Sequence, residues 1–157
     1  MRSRLVSVIG GSACTAAESA LAEEVGRRLA QAGVGVVCGG RGGVMEAVCR
    51  GAWQSGGLTV GILPGQSPAE GNDYLTVALP SGMGEARNVM VVRAREAVIA
   101  IGGGLGTLSE IAYALRLEKT VVAVGSWQAT SPQGSSLPVR RAATAQEAVG
   151  IVLGEGG

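Results

Sequence analysis

Val98-Ile99-Ala100-Ile101-Gly102-Gly103-Gly104-Leu105-Gly106-Thr107-Leu108-Ser109-Glu110 carries an apolar run directly into a glycine cluster and then into a segment of helical spacing. A buried strand, a tight turn and a helix start are the elements that this order of residues encodes. The same order occurs twice more. Leu5 to Ile9 is followed by Gly10-Gly11-Ser12, and Val34 to Val37 leads to Gly39-Gly40-Arg41-Gly42-Gly43. Further strands are expected at Thr59 to Leu63, Leu75 to Leu79 and Val121 to Val124, each apolar on both faces as strands covered by helices must be.

Helical segments fill the intervals. Thr15-Ala16-Ala17-Glu18 has the pattern of a capping box and opens a helix running to about Ala32, which Gly33 ends. Others are expected from about Val44 to Ser55, Glu85 to Arg95, Thr107 to Leu117 and Ala145 to Leu153. Strand and helix in strict alternation predict an α/β fold, a Rossmann-like three-layer sandwich on a mostly parallel sheet of six to seven strands. Residues 125–138 read as a surface loop before a short strand at Val139 to Ala142. No linker or fixed-period repeat divides the chain, so residues 1–157 are expected to form one domain.

In a parallel sheet all three glycine clusters lie on one edge, each at a helix N-terminus. Free N–H groups and the helix dipole favour an anion there, and glycine lets it approach the backbone. Gly10, Gly11, Ser12, Gly39, Gly40, Arg41, Gly42, Gly43, Gly103, Gly104, Gly106 and Thr107 are therefore the candidate phosphate ligands. An ordinary dinucleotide site is not encoded, because Met45 and Thr107 stand where the third glycine of each cluster should be, and no acidic residue ends the second strand.

Thr107-Leu108-Ser109-Glu110 has two readings. Thr107 is the N-cap and Glu110 the third helical residue of a capping box, or the pair holds a hydroxyl and a carboxylate within one turn of the anion. Arg87 shares a helix side with Met90, Val91 and Ala94, which turns it inward, toward the sheet edge. Its alternative is a solvated side chain or a partner of Glu85.

The absent residue types are equally informative. The chain of 157 residues has no histidine, one lysine (Lys119) and one aspartate (Asp73). Histidine-dependent triads, proton shuttles and zinc sites are excluded within one chain, and so is a Walker A loop. A net charge of +1 gives no footprint for nucleic acid or an anionic membrane. Cys14, Cys38 and Cys49 form no C-x-x-C pair and are expected as reduced thiols of a cytoplasmic protein. Arg2 and Arg4 precede an apolar run too short for a signal peptide, and none is long enough to span a membrane. The cysteines, Trp53 and Trp127 are expected to serve packing or interfaces, and no metal site is expected.

Gly39-Gly40-Arg41-Gly42-Gly43-Val44-Met45-Glu46, Arg87-Asn88 and the stretch from Gly102 to Glu110 together resemble the superfamily of the lonely-guy cytokinin phosphoribohydrolases, long mislabelled as lysine decarboxylases. The resemblance spans roughly residues 4 to 124. Gly84-Glu85-Ala86-Arg87-Asn88 looks like the molybdenum-cofactor carrier protein-like branch. The hydrolases carry Pro-Gly-Gly-x-Gly-Thr-x-x-Glu, so the resemblance implies that Gly103, Gly104, Gly106 and Thr107 hold phosphate while Glu110 and Arg87 act at the ribose. Gly102 stands in place of the proline and Asn88 in place of a lysine. The resemblance thus implies a carrier of a phosphorylated pterin such as molybdenum cofactor, or of a nucleoside monophosphate. The alternative is a phosphoribohydrolase releasing free base and ribose 5-phosphate. It also implies a homodimer or homotetramer. Lysine decarboxylation is excluded because it ordinarily needs pyridoxal phosphate on a lysine, and Lys119 lies on the far side of the Thr107 to Leu117 helix from the glycine loops.

Overall fold

A computed structural model describes residues 3–154. β1 (Leu5–Gly10), α1 (Ala16–Gln31), β2 (Gly35–Cys38), α2 (Val44–Gln54), β3 (Thr59–Leu63) and β4 (Val77–Pro80) form the first half. The second half comprises α3 (Arg87–Arg93), β5 (Ala97–Ile101), α4 (Leu105–Arg116), β6 (Thr120–Val124), β7 (Arg140–Arg141) and α5 (Ala145–Val152). All seven strands pair in parallel, in the order β4-β3-β2-β1-β5-β6-β7.

The strand alternation divides the interior into two cores. Val6 and Val8 of β1 with Ile99 and Ile101 of β5 face α1, α2 and α5, whereas Ile9, Val98 and Ala100 face α3 and α4. This is the Rossmann-like α/β/α sandwich. The 16-residue α1 crosses α2 closely at two glycines: a Cβ on Gly26 would lie 2.0 Å from the Val48 carbonyl oxygen, and one on Gly51 1.9 Å from that of Glu23.

Strand order reverses between β1 and β5, so the loops after them leave toward opposite faces: α1 packs on one, α4 on the other. A crevice must open between their C-terminal ends, where parallel α/β sheets accommodate ligands.

Several expected boundaries shift. The fourth strand starts at Val77 rather than Leu75, because Leu75 turns its side chain against Gly40 and Gly61. It is also not covered on both faces: as the sheet edge it leaves Val77 and Leu79 exposed. The expected helix from Glu85 to Arg95 is a 3₁₀ turn, Gly84–Ala86, followed by α3. The strand expected at Val139 to Ala142 pairs only over Arg140–Arg141. No described helix is long and apolar enough to cross a membrane.

Candidate functional site

All three glycine loops leave the C-terminal ends of their strands, and a cavity of about 690 Å³ opens between them. Gly10, Gly11 and Ser12 line it from β1, Gly39, Arg41 and Gly42 from β2, and Gly104, Gly106 and Thr107 from β5 and α4. Arg87 and Glu110 complete the wall, together with Met45, Glu85 and Asn88.

Three candidate ligands are not in that wall. Gly40, at φ +76, packs on Leu63 and Gly61, and its carbonyl accepts from Asn72 N at 2.9 Å. At Gly43, φ +63, a Cβ would meet the Gly11 carbonyl oxygen at 2.2 Å; the two loops touch here, and Val44 N donates to that oxygen at 3.0 Å. Gly103 lies behind the loop, where a Cβ would strike Thr107.

The helices fall into two kinds at their N-termini. Thr15 caps α1 through the Glu18 N–H while Glu18 accepts from the Thr15 N–H, the expected capping box, and Thr144 caps α5. By contrast α2 begins at Gly43 and α4 at Gly104, neither with a side-chain cap. The start of α4 faces the cavity through Gly104, Gly106 and Thr107, whereas at α2 the Val44 N–H is taken by the Gly11 carbonyl. The first N–H groups of α4 belong to Leu105, Gly106 and Thr107, and an α-helix has no internal partner for them.

This corrects the capping-box reading of Thr107 and Glu110. The extended backbone of Gly104 (φ −100, ψ −153) starts α4 three residues before Thr107, which becomes its third residue and is buried. Glu110 then sits in the second turn, too far in to cap. Its carboxyl is largely buried, which raises its pKa to about 7 although the nearby Arg87 charge opposes the rise.

Arg87 enters from the start of α3. Its Nε donates to the Ile62 carbonyl at 3.0 Å and its Nη2 to Gly39 at 3.4 Å, tying α3 to the ends of β3 and β2. Its Nη1 donates to Asn88 Oδ1. Burial lowers its pKa, and Glu110 partly restores it. Met90, expected on the same inward side, is exposed. Arg41 is exposed and in no ion pair among the described residues.

Gly102, where the resembled motif has proline, has φ +54. A proline ring fixed near −65° does not permit that conformation, so the loop is held otherwise. Ser126 Oγ donates to the Gly102 carbonyl at 2.6 Å and Trp127 Nε1 to the Gly104 carbonyl at 2.9 Å. Asn72 performs the equivalent task for the β2 loop, with Nδ2 donating to the Arg41 carbonyl at 3.0 Å. Neither Asn72 nor the Ser126-Trp127 pair stands out in the sequence, since each acts through contacts distant along the chain.

The three cysteines are free. Cys38 ends β2 beneath the glycine loop, with its sulfur 3.5 Å from that of Cys49 and accepting from Gly40 N at 3.3 Å. Lys119 is at the opposite edge of the sheet, with Nζ donating to the Arg95 carbonyl at 2.6 Å.

Comparison with known proteins places this geometry. The molybdenum cofactor binding protein of Rippkaea orientalis superposes with a TM-score of 0.85 at 31% identity, over 98% of each chain. The molybdenum cofactor carrier protein of Chlamydomonas reinhardtii superposes at 0.82 with 28% identity, again over 98% of each. An uncharacterised protein of Archaeoglobus fulgidus is 41% identical over 124 residues, 79% of this chain and 82% of that one. The model of the SLOG cluster4 family matches residues 3–151, and the chain, which carries the glycine loops throughout that span, belongs to this family.

Proposed function

We propose that the protein binds a phosphorylated small molecule, a nucleoside monophosphate or a phosphorylated pterin such as molybdenum cofactor, with the phosphate seated at the start of α4. The observation that carries this reading is the uncapped N-terminus of α4 opening on the cavity beside the loops of β1 and β2. An anion there would satisfy the N–H groups of Gly106 and Thr107 and gain from the helix dipole. Arg41 would add charge from the rim. These residues fit the phosphate of molybdenum cofactor; the phosphate is the part of that ligand the glycine loops address. The likeness to the molybdenum cofactor binding protein of R. orientalis and the carrier protein of C. reinhardtii supports a binding role. Equilibrium titration with nucleoside monophosphates and a pterin carrying a side-chain phosphate tests it. Saturable binding is expected, and its absence for every member would overturn the reading.

A second reading is favoured by Glu110, whose carboxyl is released from any capping role, largely buried and close to half-ionised at neutral pH. In a phosphoribohydrolase it would hold the ribose hydroxyls or stabilise the oxocarbenium-like charge, with Arg87 positioning the nucleotide. Free base released from AMP by the parent but not by Glu110→Gln would establish hydrolysis. No release from any nucleotide would leave binding alone. For assembly we propose a homodimer or homotetramer, to be read by light scattering.

A further inference from the structure

Cys38 and Cys49 are buried nucleophiles that the proposed site does not use. Both are 0% exposed, Cys38 at the end of β2 and Cys49 on α2, and their sulfurs are 3.5 Å apart. The chain between them is the β2 glycine loop and the start of α2, which give Gly39, Arg41, Gly42 and Met45 to the cavity wall. Cys38 Sγ also accepts from the N–H of Gly40, a buried residue held at φ +76, and lies 4.0 Å from the Met45 carbonyl oxygen. The thiol pair therefore underlies one wall of the cavity and fastens its loop.

The two thiols are not equivalent. The contact with Cys49 lowers the pKa of Cys38, as do the Gly40 N–H and the Arg87 charge, against the opposing effect of burial. The same contact, together with burial, raises the pKa of Cys49. Cys38 is thus the thiol suited to attack an oxidant, and Cys49 the one placed to resolve the product.

We propose that Cys38 and Cys49 are a reversible oxidation site, joined in a disulfide by hydrogen peroxide, and that this bond loosens the β2 loop and weakens phosphate binding. The Cys38 thiolate attacks one peroxide oxygen as the O–O bond breaks, giving a sulfenic acid and a hydroxide that takes up the proton Cys38 released. Cys49 sulfur then attacks Cys38 sulfur, the S–O bond breaks, and the departing hydroxide leaves as water with the Cys49 proton. Two thiols are oxidised and one peroxide is reduced to two waters. The free thiols of the structure are the reduced state. Once bonded, Cys38 sulfur loses the anionic character that makes it an acceptor for the buried Gly40 N–H, and the loop carrying Arg41 and Gly42 loses that anchor. With both sulfurs buried, peroxide reaches them only when this loop opens, so a ligand that holds the loop slows the reaction.

The coupling rests on the phosphate-binding reading above; the disulfide does not. The full chain is treated with hydrogen peroxide, free thiols are alkylated, and linked peptides are mapped by mass spectrometry, while ribose 5-phosphate binding is measured before oxidation, after it and after dithiothreitol. A Cys38–Cys49 cross-link that leaves Cys14 out is expected, with affinity about tenfold lower when oxidised and restored by the reductant. Saturating ribose 5-phosphate should slow formation of the cross-link. Cys49→Ser should bind like the reduced parent and show no loss that dithiothreitol reverses. Alkylation of Cys38 and Cys49 in full after peroxide would overturn the oxidation site. A cross-link with unchanged affinity would overturn its coupling to the cavity. A cross-link in a protein whose reduced form binds no ribose 5-phosphate would overturn the phosphate reading and the coupling together, and leave the disulfide standing.

Discussion

The starts of α1 and α4 carry the same four-residue pattern, Thr-x-x-Glu, with opposite results. At Thr15 to Glu18 both capping bonds form, and the helix end is closed by its own side chains. At Thr107 to Glu110 the helix has already begun at Gly104, leaving its N-terminus open and its glutamate inside a cavity wall. What precedes the pattern decides the outcome. Cys14 and the preceding residues carry the chain up to Thr15 outside any helix, whereas Gly102, Gly103 and Gly104 let the backbone turn within three residues of β5. A helix stabilised by its own cap serves the fold, and in the function proposed above a helix left open serves a ligand.

The largest stability change among these tests is expected at α2, the other helix here without a side-chain cap. Gly43→Ala puts a Cβ 2.2 Å from the Gly11 carbonyl oxygen at a positive φ, and should cost about 2–4 kcal/mol in denaturant unfolding. A substitution at the N-cap of the closed helix, Thr15, should cost far less.

Glu110→Gln should reveal the buried carboxyl. Because the folded state holds its proton up to about pH 7, parent stability should fall as pH rises from the ordinary carboxylate range to about 7, and level off above it. The glutamine variant should lack this slope and be more stable at pH 8 by about 1–3 kcal/mol. Both proteins should converge at pH 4. An unchanged pH profile would show that Glu110 is solvated like any surface carboxylate. At α1 the matching substitution, Thr15→Ala, should lower stability by about 1 kcal/mol by removing the cap and leave ligand affinity untouched.

Much of this was legible in the residues. Valine- and isoleucine-rich runs alternating with helical spacing identify a parallel α/β sheet, and parallel strands oblige the three glycine loops to share an edge. Thr15 could be read as a cap because nothing before it competes. Thr107 could not be placed, since spacing alone does not say where a glycine loop turns into a helix. The Leu75 boundary failed because a leucine that fills the space above Gly40 and Gly61 looks like a strand residue. Asn72, Ser126 and Trp127 act between segments far apart in sequence, where no periodicity announces them.

The central claim is that α4 is left open for an anion, and Gly104→Asp tests it most directly. Gly104 has a negative φ, and a Cβ there meets nothing within 4 Å, so the substitution fits the backbone and supplies both the missing cap and a negative charge. Binding of ribose 5-phosphate and nucleoside monophosphates, measured by calorimetry alongside Tm, should fall about 100-fold or more while Tm stays level or rises. Undiminished binding in the Gly104→Asp protein would contradict the assignment of the phosphate to this helix.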